Sequence, residues 1–172
     1  MSEADTRRLF LALWPDERIR AEIVARREAL GTTDGPRRVP DHNLHLTLLF
    51  LGDQPADQMA AIETAVTAVE GRPFACVLDR FGWFPGARVL WLGGEAPAAM
   101  QILYSGLFEA VTGLGIRLDR RPLRPHVTLF RKVARRPELP RPEPLTWMVE
   151  HFGLVESVPG RPYRVLKSWS LN

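Results

Sequence analysis

A short motif that occurs twice constrains this chain more than any other feature. His45-Leu46-Thr47-Leu48 returns as His126-Val127-Thr128-Leu129, with His and Thr at the same spacing. The two copies lie close to half a chain length apart in a sequence of 172 residues. Each accompanies a brief apolar run, Leu44 to Leu51 and Val127 to Phe130, and such runs read as strands. Strand side chains alternate between faces, so the His and Thr of one copy share a face while their neighbours point into a core. Two such strands side by side put two imidazoles and two hydroxyls into one cleft. Given this chain's own Thr and Leu frequencies, two of its four histidines would both start the pattern by accident roughly once in a few thousand cases. A lone strand histidine is usually a packing residue, but a His repeated together with its Thr is what acid–base work needs.

The chemistry open to that set is specific. Acid–base catalysis needs one group to take a proton and another to give one, and two imidazoles titrating near pH ~6.5 supply both. His45 and His126 are therefore the candidate catalytic residues. Thr47 and Thr128 are candidate hydrogen-bond donors to anionic oxygens as charge develops there. Such a set needs no metal ion, so neither metal nor cofactor is expected. His42, three residues before His45, lacks the Glu and the helix of a zinc motif, and His151 has no evident partner.

These residues resemble the two-histidine (2H) phosphoesterase superfamily, and within it the RNA 2′,3′-cyclic phosphodiesterases historically called the 2′-5′ RNA ligase family. The likeness is carried by Arg8 to Leu13, Asn43 to Gly52, Pro125 to Arg131, Leu154 to Ser157, Tyr163, and Trp169 to Leu171, and so covers nearly the whole chain. Arg135 to Pro144 is richer in Pro and Arg than the resemblance leads one to expect. The resemblance implies two pseudo-symmetric lobes facing each other across a cleft. It also implies metal-independent hydrolysis of RNA 2′,3′-cyclic ends to 2′-phosphates, with 2′-5′ ligation as the reverse. On that basis His45 is assigned as acid and His126 as base, although pseudo-symmetry leaves the opposite assignment open. Arg131, five residues after His126, matches a position where the family often carries Arg. Strict alternation turns it away from the motif face, so it reaches the phosphate only if the strand ends or bulges near Phe130. A non-catalytic module that grips RNA ends, and a cyclic phosphodiesterase acting on another cyclic nucleotide or ADP-ribose cyclic phosphate, are the rival readings.

Composition bounds the rest. A chain 45% apolar at this length buries a real core and is read as a single two-lobed domain spanning residues 1–172. The single cysteine, Cys76, excludes an internal disulfide framework and suits a reducing compartment. The apolar stretch Leu9 to Trp14 is too short for a signal core or a membrane span, so a cytoplasmic monomer without a membrane partner is expected. Lys132 and Lys167 are the only lysines among 23 basic residues. Much of this arginine usage reads as codon bias, but Arg117 to Arg141 holds eight arginines and Lys132 against Asp119 and Glu138, around the second motif. A basic patch beside the cleft suits an RNA end as partner.

Apolar periodicity places helices over Pro15 to Leu30, Asp57 to Glu70 and Pro97 to Gly115. Thr32 to Asn43 reads as a loop. Strands are expected at Arg8 to Trp14, at the two motifs, at Phe74 to Leu78 paired with Arg88 to Leu92 as a long-tipped hairpin, and at Trp147 to Val158 and Tyr163 to Leu171. That order suggests an α+β fold with largely antiparallel sheets, each lobe a small sheet backed by helices. On the hairpin tip, Trp83 and Phe84 are candidates for stacking a base.

Overall fold

Alternating leucines near the N-terminus decide which way the sheet faces. The computed structural model describes residues 5–31 and 36–172. There β1 (Thr6–Leu13) buries Leu9, Leu11 and Leu13 in the main core, while Phe10 and Ala12 point to the opposite side. Helix α1 (Glu17–Ala29) starts where Asp16 accepts a 2.8 Å hydrogen bond from the Ile19 N–H, the usual N-cap geometry. It ends just before Gly31, whose φ of 67° lets the chain reverse. The remaining elements are β2 (Arg37–Arg38), β3 (Leu46–Pro55), α2 (Met59–Thr67), β4 (Phe74–Leu78), β5 (Arg80–Phe84) and β6 (Val89–Gly93). After them come α3 (Ala98–Thr112), β7 (His126–Arg131), β8 (Leu145–Val149), β9 (His151–Ser157) and β10 (Arg164–Ser170).

An α+β fold with antiparallel sheets was expected and is observed. Eight strands form one antiparallel sheet in the order β10-β9-β1-β3-β7-β6-β5, with β2 attached to β7. Its two halves meet at a single residue pair, Leu46 opposite Val127, beyond which β3 and β7 diverge. The units β1-α1-β3 and β6-α3-β7 repeat one arrangement: a helix between two antiparallel neighbours. Ile19 and Ile23 of α1, Ile62 and Val66 of α2, and Leu103 and Leu107 of α3 share one buried cluster with Leu9 and Leu11. All three helices therefore cover the same face and leave the other free.

Two strand pairings differ from expectation. β4 does not pair with β6 but with β8, as a separate two-stranded sheet over the core. The reason is pattern: both strands bury alternate residues, Phe74, Cys76 and Leu78 against Leu145, Trp147 and Val149, and so complete one another. The Gly82-Trp83-Phe84 segment, expected as loop, instead pairs with β6 as β5, leaving only a short turn around Pro85 and Gly86. The stretch Trp147 to Val158 is likewise two strands broken at Glu150, one in each sheet. Of the expected loop Thr32 to Asn43, positions 32–35 lie outside the described residues, and the rest holds β2 and a 3-10 turn at Asp41–Asn43. No described helix is long and apolar enough to cross a membrane.

Candidate active site

Both motifs depart from strict strand alternation, and in the same way. Along β1 and β3, Leu11 pairs with Leu49 but Ala12 pairs with Thr47, so Leu48 is an extra residue in β3. Along β6 and β7, Leu90 pairs with Phe130 but Trp91 pairs with Thr128, so Leu129 is extra in β7. A bulge thus sits three residues after each histidine. It lets two consecutive side chains turn inward, Leu48 with Leu49 and Leu129 with Phe130, all buried. The residue five positions after each histidine, Phe50 or Arg131, thereby returns to the His-Thr face. The condition on which a role for Arg131 depended is met.

That face carries a cleft of about 320 Å³ whose walls include His45, Thr47, Phe50, His126, Thr128 and Arg131. β3, with His45 immediately before it, and β7 supply these residues. Arg8, Phe10, Ser157 and Tyr163 complete the lining from the neighbouring strands and the β9–β10 turn.

Each imidazole is held by the same device. His45 Nδ1 lies 2.7 Å from the Asn43 carbonyl, and His126 Nδ1 lies 2.7 Å from the Arg124 carbonyl. A carbonyl only accepts, so each Nδ1 carries the proton and each neutral ring keeps an unprotonated Nε2 that can accept. The Thr47 hydroxyl donates to His45 Nε2 at 3.0 Å.

The surroundings of the two rings are not equal. His45 stacks on Trp14 with ring centroids 5.4 Å apart and planes 6° from parallel, and it is flanked by Phe10 at 4.9 Å and by the edge of Tyr163 at 5.2 Å. Burial pushes its pKa down to about 4; the Asn43 carbonyl opposes this, and Arg131 and His126 add to it. His126 meets Phe84 edge-on at 5.1 Å and Trp91 at 5.9 Å. Burial lowers its pKa too, against the Arg124 carbonyl, but less far. Both rings are thus neutral in the unliganded protein near neutral pH, and His45 is the more firmly held so.

Support for the first motif comes from residues that the sequence reading passed over. Arg27, almost wholly buried at 1% exposure, donates to the Val39 carbonyl at 2.7 Å and pairs with Asp41, fixing the segment that enters the motif. Asn43 then accepts from the Tyr163 N–H through its side chain at 3.0 Å and from His45 through its carbonyl. The signal was present: Arg27 follows Ile19 and Ile23 at four-residue spacing on the apolar face of α1. Trp91 was missed as well, although two strand glycines announce it. A Cβ on Gly82 would lie 2.0 Å from the Trp91 ring, and one on Gly93 would lie 2.8 Å from it.

The other candidates separate cleanly. Phe84 stands beside His126, whereas Trp83 packs on the core and donates to the Val133 carbonyl at 3.0 Å. His42 and His151 are exposed and outside the cleft. Cys76 is buried with its thiol pushed up to about 12, which leaves it unreactive. Among the described residues no group of three or more His, Cys, Asp or Glu side chains is placed to hold a metal ion.

Comparison with known proteins follows the same residues. Positions 15–161 match the family model of the 2′-5′ RNA ligase superfamily. The chain is 34% identical to the RNA 2′,3′-cyclic phosphodiesterase of Thermus thermophilus, over 95% of this chain and 90% of the relative. It is 31% identical to the protein of the same name from Escherichia coli K12, over 98% of both. Among solved structures, E. coli LigT complexed with 3′-AMP superposes with a TM-score of 0.90 at 31% identity, over 97% of this chain and 99% of that one.

Proposed function

The chain belongs to the 2′-5′ RNA ligase superfamily, and from that membership and its paired histidines we propose that it is an RNA 2′,3′-cyclic phosphodiesterase. The relatives named above support the substrate class. The observation that carries the mechanism is the meeting of two histidines and two threonines in one cleft, to which the bulge in β7 adds Arg131. We also read residues 1–172 as one domain of two lobes, on the strength of the repeated strand-helix-strand unit and the single residue pair joining the halves.

The reaction divides among these groups as follows. One Nε2 lone pair takes a proton from water as its oxygen attacks phosphorus. The other Nε2, protonated, gives its proton to the ribose 3′ oxygen as that P–O bond breaks, leaving a 2′-phosphate. Thr47, Thr128 and Arg131 stabilise the charge gathering on the non-bridging oxygens. Phosphate binding itself prepares the acid: an anion between the rings favours protonation and offsets the cost of burying an imidazolium. Family likeness makes His45 the acid and His126 the base. The depressed pKa of His45 favours the reverse division, because the ring that resists protonation more is the better-placed base.

Incubating an RNA ending in a 2′,3′-cyclic phosphate with the protein in excess EDTA tests this reading. The expected product is a linear monophosphate end that resists a phosphatase specific for 3′-phosphates. An uncleaved ring, or turnover that returns only with a divalent ion, would contradict the proposal. A product fully dephosphorylated by that phosphatase would reject the 2′ regiochemistry alone.

A further inference from the structure

We propose that the protein binds the RNA strand leading to the cyclic end, and not the terminal nucleotide alone, along a trail of three adjoining cavities. The inference rests on the cyclic phosphodiesterase reading and extends it to the length of substrate recognised. A 2′,3′-cyclic phosphate terminates a chain, so all preceding nucleotides depart from one point, the 5′ oxygen of the last ribose. A strand seated in the cleft therefore needs only one exit.

The structure holds such an exit past His126. A second cavity of about 450 Å³ shares His126 with the catalytic cleft and is walled by Phe84, Trp91, Arg80 and Arg124. A third, of about 560 Å³, shares Gln101 and Leu123 with the second and is walled by Tyr104, Phe108, Arg120 and Arg121. Each of the two outer cavities thus pairs aromatic rings with two arginines, the combination that stacks bases and tracks a backbone in single-strand sites. The outer wall is tied together: the Tyr104 hydroxyl donates to the Arg121 carbonyl at 3.2 Å, and the Arg120 guanidinium lies 5.2 Å over the Phe108 ring. One carboxylate faces each outer cavity, Glu95 and Glu109. Arg80 is partly engaged by Asp79 and Glu95, and Arg121 by Asp119, but neither Arg120 nor Arg124 has an ion-pair partner among the described residues. The positive charge left over lies along the trail.

The basic stretch around the second motif is thereby divided. Arg120, Arg121 and Arg124 border the trail, whereas Arg135, Arg136 and Arg141 line none of the three cavities. An RNA strand recognises the first set and ignores the second.

The test is a length series at fixed salt: uridine 2′,3′-cyclic monophosphate, then oligouridylates of two, three and four nucleotides carrying the same end. For the native protein kcat/KM should rise about tenfold with each added nucleotide up to ~3, one per cavity, and then level off. In Arg120→Ala/Arg121→Ala the gain from the third nucleotide disappears while the gain from the second remains; Arg120→Gln alone reports the same loss if the double variant is unstable. Arg135→Ala/Arg136→Ala reproduces the native series. Turnover of the mononucleotide with no dependence on length overturns the trail and spares the proposed activity. So does a length gain that survives at Arg120 and Arg121 or falls equally at Arg135 and Arg136. Failure to turn over any member of the series removes the activity itself.

Discussion

His45→Ala and His126→Ala should each lose on the order of 10²- to 10⁴-fold in turnover of an RNA 2′,3′-cyclic phosphate, the range general acid–base catalysis supplies. Both side chains line the cleft, and neither belongs to the main buried core, so circular dichroism should remain that of the native protein. His45→Asn serves as a smaller perturbation where loss of the ring loosens its aromatic neighbours. The two losses can be told apart by the leaving group. An aryl phosphodiester expels a stable phenolate and needs no proton, so the variant lacking the acid regains most of its rate on that substrate while the variant lacking the base does not. Recovery by the His45 variant supports the family-derived assignment; recovery by the His126 variant supports the division that the depressed pKa of His45 favours. Near-native turnover by either variant on the RNA end would remove the paired-histidine mechanism.

Thr47→Val and Thr128→Val should each lower kcat by roughly 10²- to 10³-fold, the usual cost of one missing donor to a developing oxyanion. Valine keeps the shape and the strand preference of threonine, so the loss isolates the hydroxyl. Thr47 has a second task, because its hydroxyl donates to His45 Nε2 in the unliganded protein. It must turn from the ring to the phosphate when substrate arrives, whereas Thr128 has no such competing bond to the paired histidine. Equal falls in kcat and kcat/KM identify donors that act in the transition state; a raised KM at constant kcat would reduce them to ground-state binding groups. Losses of only a few fold would remove the threonines from the mechanism.

Local pattern explains which parts of this molecule could be read in advance. The helices α1, α2 and α3 bury the periodic residues that announce them, Ile19 and Ile23, Ile62 and Val66, and Met100, Leu103, Leu107 and Val111. Repetition located the two motif strands, and the rows of His and Thr do share one cleft. The bulges at Leu48 and Leu129 were not legible, because a bulge is a property of two strands in register and one strand's alternation cannot reveal the extra residue. The position of Arg131 depended on one of them. The same limit explains the mistaken hairpin: β4 and β6 are apolar runs separated only by β5, but β5 takes the edge of β6 and the matching alternation of β4 and β8 pairs those two over the core. Arg27 and Trp91 were hidden differently. Each looks ordinary alone and acquires its task only from a partner that the fold brings against it, Asp41 for the one and Gly82 on the paired strand for the other.

The central claim is that both imidazoles face one phosphate, and NMR titration of the two Nε2 resonances with and without a nucleoside 2′-monophosphate tests it most directly. In the free protein both rings should be Nδ1–H tautomers with pKa values below the ordinary ~6.5, His45 near the value of about 4 that its burial imposes. An anion seated between them favours each protonated form, so both titrations should move upward together when the nucleotide saturates the site. A nucleotide that raises only one histidine, or neither, would show that the two rings do not share a phosphate and would contradict the account.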